Sequence, residues 1–322
     1  MESSSKAVLT QCEDYDSERL SEALQRQFAL LGGLKTFVKA SDTVLLKPNF
    51  IAPKPRRRAV QTDPAVLIET AKLVKDIGGR PFVGDSPAWS NMYHCAKQLE
   101  LEEPLKKLGV PIRQLDKGRK IRIGNDGRNV SFSRAALEAD VIINLPKLKS
   151  HQQLVATIAV KNMFGAVSGK EKAYWHFGKG HTRDEFCEFL IEIYKYLNPA
   201  LTIVDGITAM EGVGPIRGTP RQIGYLVGST DPIACELVCS KLIGLEPDTL
   251  PMIRTAHRLG FGCCVFETLE IIGDNLPADV CEDFEIPPLI PVRFSLLYIC
   301  KSIVKQIILL VKSAFGIKYT NM

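Results

Sequence analysis

Asp140-Val141-Ile142-Ile143-Asn144-Leu145 runs without pause into Pro146-Lys147-Leu148-Lys149-Ser150-His151. The first six residues are a short apolar run of strand length, which predicts a buried strand. The second six place two lysines and a histidine at its carboxyl end, where ionisable groups are costly to hold without partners. Outward from this point the same pattern recurs. Thr43 to Leu46 is another short apolar run, followed by Lys47-Pro48-Asn49. Pro81 to Gly84 is a third, followed by Asp85-Ser86, and Leu201 to Val204 a fourth, followed by Asp205-Gly206. Helical spacing separates them. Leu20, Ala23, Leu24, Phe28 and Leu31 recur at one helix face until Gly32-Gly33. Thr62-Asp63-Pro64 offers a cap and a first-turn proline to a helix reaching Ile77. Alternating strands and helices predict an α/β fold, a mainly parallel sheet with helices on both faces. The length of 322 residues and 45% hydrophobic content suffice for one core or for two lobes around a cleft. In such sheets ligands gather beyond the carboxyl ends of the strands.

The remaining elements follow the same logic. Lys6 to Gln11 reads as a first strand, Asn91 to Leu108 as one helix, and Asn125-Asp126-Gly127 as a hairpin turn. Thr182 to Leu197 reads as a helix, Gly206 to Pro220 as a Gly/Pro-rich loop, and Ile223 to Val227 as a strand. Asp231-Pro232 caps a helix to Leu242, and Pro251 to Leu259 forms a last short one. Pro287-Pro288 and Pro291 mark a boundary, so residues 1–290 are the α/β domain and 291–322 a tail. Within it Lys301, Lys305 and Lys312 share one face of an otherwise apolar helical stretch from Phe294 to Phe315. That stretch either lies on a membrane surface or docks on the body.

A net charge of +5 falls short of a nucleic-acid footprint and suits a small anionic ligand or an anionic membrane surface. The nine cysteines are odd in number, scattered, and without Cys-x-x-Cys, which predicts reduced thiols and a cytoplasmic chain. Met1 to Ser5 lacks the apolar follow-on of a signal peptide.

The chemistry concentrates between Pro146 and His181. After His151 come Lys161-Asn162-Met163-Phe164-Gly165, then His176 and His181. Gly165 and Gly169 enclose three residues rather than four, and Glu171 follows Lys170, so this is not a phosphate-binding P-loop. The expected roles are His151 as general acid/base, Lys161 as anion grip or nucleophile, and Glu211 or Asp85 as the acid that orients the histidine. Lys47, Asn49, Lys147, Lys149, Asn162 and Gly165 would hold a ligand, and His176 and His181 a metal brought together by a loop. The run Lys54, Arg56, Arg57, Arg58 is either a solvated loop or an anion contact.

Lys47-Pro48-Asn49, Thr62-Asp63-Pro64, Lys147-Leu148-Lys149-x-His151, Lys161-Asn162-x-Phe164-Gly165 and Asp205-Gly206 to Glu211-Gly212-x-Gly214-Pro215 together resemble the domain of unknown function 362 family. The resemblance implies an α/β domain, often joined to a Cys-rich iron–sulfur module. This chain has no such cysteine run, so an iron–sulfur cluster is not expected and the cofactor stays open. A looser resemblance, to nickel-pincer lactate racemases, implies the order catalytic His, cofactor-bearing Lys, metal-binding His, which His151, Lys161 and His176 follow. Three readings remain: an enzyme on a small anionic metabolite, by isomerase or oxidoreductase chemistry; a non-catalytic ligand-binding protein; and a membrane-associated adaptor.

Overall fold

The computed structural model describes residues 5–168, 171–277 and 281–292. The tail read at 291–322 therefore lies almost wholly outside the described residues.

The strands are β1 (Lys6–Gln11), β2 (Thr43–Pro48), β3 (Arg80–Asp85), β4 (Ile112–Gln114), β5 (Gly118–Ile123), β6 (Arg128–Ser133), β7 (Val141–Leu145), β8 (Lys147–His151), β9 (Val155–Thr157), β10 (Leu201–Glu211), β11 (Thr219–Ser229) and β12 (Glu270–Gly273). Ten of them form one sheet, in the order β12-β1-β11-β10-β7-β2-β3-β4, with β8 on β10 and β9 on β8. From β10 to β4 every neighbour is parallel. β11 is antiparallel to both β1 and β10. The four apolar runs expected to share one parallel sheet do so, with Leu201 in register with Ile143. β5 and β6 form a separate hairpin closed at Asn125-Asp126-Gly127.

Side chains alternate across the sheet, as a two-residue period requires. Val44 and Leu46 face one apolar layer, with Leu20, Leu24, Val66, Val74 and Cys95 from the helices at Ser17–Leu30, Pro64–Asp76 and Met92–Gln98. Leu45 and Phe82 face the opposite layer, with Phe186, Phe189 and Leu190 of the helix Arg183–Leu197. Farther along that face, Val204 and Val227 meet Ala234 and Val238 of the helix Pro232–Leu242. Asp63 and Asp231 cap their helices as the sequence indicates. Cys235 and Cys239 are buried on the second of these, and no disulfide occurs among the described residues.

Three local expectations change. The single helix expected from Asn91 to Leu108 is two, Met92–Gln98 and Glu102–Lys107. Pro104 has no N–H for an uninterrupted helix and is accommodated in the first turn of the second. The stretch Gly206 to Pro220 is not a loop throughout: β10 continues to Glu211 and β11 begins at Thr219. Lys147–His151, read only as residues at the end of a strand, is a strand of its own. Pro146 steps the chain off β7, and β8 then pairs with the extended end of β10 and with β9.

Candidate active site

The step at Pro146 puts Lys147, Lys149 and His151 at alternate positions of a fully buried strand. Leu148 between them packs into the apolar layer. The strand then turns back as β9, and the next turn is the short helix Ala159–Asn162, which carries Lys161. Its first turn is held by Glu236, whose Oε1 accepts from the Val160 N–H at 3.0 Å. Burial raises the Glu236 carboxyl to about 7. Its last residue is clamped as well. Asn162 Nδ2 donates to the Lys47 carbonyl and to Asn144 Oδ1, and Asn162 Oδ1 accepts from Asn49 Nδ2. Asn162 is thus a structural tie, and Asn49 keeps a buried Oδ1 without a donor.

Held in this way, Lys161 Nζ lies 2.6 Å from His151 Nε2. The other ring nitrogen, Nδ1, accepts from the N–H groups of Gln153 and Leu154 at 3.1 and 3.3 Å. With Nδ1 accepting, a neutral imidazole carries its proton on Nε2. A hydrogen bond from Nε2–H to Nζ requires the lysine to be a free amine. Burial, followed by the nearby charges of Lys161 and His176, pushes His151 well below its ordinary value. Loss of water around the amine lowers Lys161 to about 7. Val155, at the tip of the same hairpin, has a φ of 67°, strained for a β-branched residue. Such strain persists only where packing over-determines it.

The other lysines divide into two kinds. Lys47 Nζ pairs with Asp85 Oδ1 at 2.8 Å and Lys147 Nζ with Asp205 Oδ2 at 2.9 Å, all four side chains essentially fully buried. Their charges are already matched, so the expected anion grip by Lys47 and Lys147 gives way to internal ion pairs. Asp85 is held by the N–H groups of Phe50 and Ser86, and so serves Lys47 rather than the histidine. Gly165 lies against this pair. Lys149, Lys161 and Lys172 have no carboxylate partner among the described residues. Lys149 Nζ donates to the Val60 carbonyl at 2.7 Å, and Lys172 Nζ to the Ser86 carbonyl. Burial, with Lys161, Lys147 and Lys47 nearby, holds Lys149 well below the usual lysine range. Loss of water lowers Lys172 to about 7. This buried cluster, the lysine chamber of the proposal below, therefore gathers more lysine amines than carboxylates. Lys172 was not foreseen from the sequence.

Glu211 is elsewhere. Its carboxylate accepts from the Glu285 N–H at 3.2 Å and lies 3.9 Å from Arg221. What reaches the chamber from that loop is backbone: Gly212 O accepts from Ser150 Oγ, and Gly214 O from the Gln152 N–H. The metal reading of His176 and His181 does not fit either. His176 lies against the rings of Phe164 and Phe186, burial lowers it to about 3, and His181 is exposed. Both ring nitrogens of His151 are engaged. Among the described residues no three His, Cys, Asp or Glu side chains are grouped to hold a metal.

A mainly parallel α/β protein with a buried cluster of lysines around a lysine–histidine pair is the class that this fold and site define. The chain belongs to the family described as "Domain of unknown function (DUF362)", whose model matches residues 44–241. It is 38% identical over 301 residues to the thylakoid-associated protein sll1697 of Synechocystis sp., covering 90% of this chain and 94% of that one. Among solved structures it shares the fold of the lactate racemase apoprotein from Thermoanaerobacterium thermosaccharolyticum. The TM-score is 0.50 and the identity 12%, over 73% of this chain and 57% of the racemase. The chain thus spans little more than half of that enzyme. No described helix is long and apolar enough to cross a membrane.

Proposed function

We propose that this chain is an enzyme that binds a small anionic metabolite in the lysine chamber and transfers protons at Lys161 and His151. The observation that carries the reading is the 2.6 Å contact between Lys161 Nζ and His151 Nε2, beside lysines that no carboxylate matches. A lysine near pKa 7 is a base at neutral pH, and a neutral His151 with its proton on Nε2 is the matched donor. Lys149 and Lys172 stand ready to take the ligand's negative groups, and the orphaned Asn49 Oδ1 to accept from a hydroxyl or amine of the ligand. An anion bound there would restore full protonation to Lys149 and Lys172 by supplying the missing countercharge. Binding without turnover would use the same lysines, but it gives no reason to set a lowered amine against an imidazole. Native mass spectrometry of the purified protein tests the reading. Wild type should retain a small anion that Lys161→Ala loses while the variant still melts cooperatively. Equal retention by the variant refutes it.

A second reading concerns location. The relative is thylakoid-associated by name, and the sequence of residues 294–315 spaces three lysines at helical intervals in a mostly apolar stretch. This combination supports peripheral attachment to an anionic membrane through the tail.

A further inference from the structure

An open cavity of about 400 Å³, within the span of small-molecule sites, lies beside the segment that anchors Lys149. Tyr15, Arg56, Arg57, Gln61, Asp63, Lys147 and Thr208 supply its polar lining. Val60 belongs to both sides: it lines this cavity, and its carbonyl anchors Lys149 of the chamber.

Most charges of the cavity are matched. Arg56 donates through Nε and Nη2 to the two oxygens of Asp63, at 2.6 and 2.8 Å. Lys147 donates to Asp205 and to the Tyr15 hydroxyl, which in turn donates to Asp205 Oδ1 at 2.8 Å. Arg57 has no carboxylate partner among the described residues and is exposed. Its guanidinium is the unmatched cation of the lining, planar and forked as carboxylate or phosphate recognition requires.

An independent observation points to a ligand. Gln61 is only 4% exposed. Its Nε2 donates to the Lys54 carbonyl at 3.3 Å, and because a carbonyl only accepts, that contact sets which way the amide faces. Gln61 Oε1 is left as a buried acceptor with no donor. Leaving such a group unsatisfied costs about 1–3 kcal/mol, so a donor belongs there. A free cation and a glutamine with an orphaned acceptor in one lining call for a molecule that is negative and also carries an O–H or N–H.

We propose that this cavity is a second binding site, distinct from the Lys161–His151 pair, for a small organic anion whose carboxylate or phosphate meets Arg57 and whose own donor meets Gln61 Oε1. Inorganic phosphate at mildly acidic pH is a minimal probe, since the monoanion has both charged oxygens and O–H donors. Isothermal titration of the full chain with phosphate should show a binding event that Arg57→Ala weakens by about tenfold or more, the loss of a charge-assisted forked contact. Gln61→Leu should weaken it several-fold, and Lys161→Ala should leave it in place. Circular dichroism melts confirm that each variant is folded. Absence of phosphate binding by wild type overturns the proposal, as does unchanged affinity in Arg57→Ala or in Gln61→Leu. Loss of the event in Lys161→Ala would instead assign phosphate to the chamber and also overturn it. Because the chamber reading is tested by ligand retention on Lys161, the two can fail separately.

Discussion

Replacing Gly165 by alanine adds one methyl group directly against the Lys47–Asp85 pair. The new Cβ would stand 2.3 Å from Asp85 Oδ1, 2.5 Å from Lys47 Nζ and 2.7 Å from Lys47 Cε. Each contact is far inside van der Waals distance. A flexible lysine end could ordinarily swing away, but here it cannot. Lys47 Nζ is tied to Asp85 and to the Pro48 carbonyl at 2.7 Å, and Asp85 is tied to two backbone N–H groups. The backbone at Gly165 is not in the left-handed region, so the cost comes from contact, not conformation. Overpacking alone costs about 1–3 kcal/mol. If the pair separates, a buried ion pair with one partner displaced costs about 3–5 kcal/mol. We expect Gly165→Ala to fall in the upper range, a large share of a domain stability of about 5–15 kcal/mol. Urea unfolding followed by circular dichroism reads this as a midpoint lowered by about 1 M or more. Gly178→Ala is the control, since a Cβ there meets nothing within 4 Å. A Gly165→Ala midpoint matching that of Gly178→Ala would refute the reasoning and show that Lys47 and Asp85 yield freely.

Two further outcomes are expected. Lys161, lowered to about 7 against an unfolded value near 10.4, binds fewer protons folded than unfolded between those pH values. Wild-type stability relative to Lys161→Met should therefore rise from pH 7 to pH 10 and fall on return, and amine labelling of Lys161 followed by peptide mass spectrometry should show a midpoint near 7; a midpoint above 9 contradicts the free-amine assignment. Deleting residues 294–322 should lower sedimentation with phosphatidylglycerol vesicles while preserving a cooperative melt; equal sedimentation excludes the tail as the attachment, and loss of the melt assigns it to the core.

The central strands were legible because each is a short apolar run closed by a helix signal, and burial on both faces of a parallel sheet demands such runs. β8 was not, although Lys147-Leu148-Lys149-Ser150-His151 alternates with a strand's period. Charged groups on a buried strand contradict the burial that the alternation implies, and only Asp205 and the Val60 carbonyl, distant in sequence, resolve the conflict. The contact of His151 with Lys161 was within reach because ten residues span one hairpin and one turn. The ion pairs of Lys47 with Asp85 and Lys147 with Asp205 join strands by tertiary pairing, which local spacing does not encode. That is why these lysines read as ligand grips. Glu211 was misplaced for a related reason: alternation along β10 turns its carboxylate toward Arg221, while the loop's carbonyls face β8. Lys172 looks like any helix lysine until its helix is docked beside Ser86.

On the proposed reading, buried lysines short of countercharge would make ligand binding part of folding. Each unmatched amine must shed its proton or endure a like charge in a water-poor space, and an anion relieves both burdens. Occupancy at a hundred times the dissociation constant adds about 2.7 kcal/mol. Newly made chain would thus be softer than chain that has met its ligand, and more open to proteolysis. Ligand supply would set how long each molecule lasts as well as how fast it works, so that the steady level of the protein tracks the metabolite without any dedicated sensor.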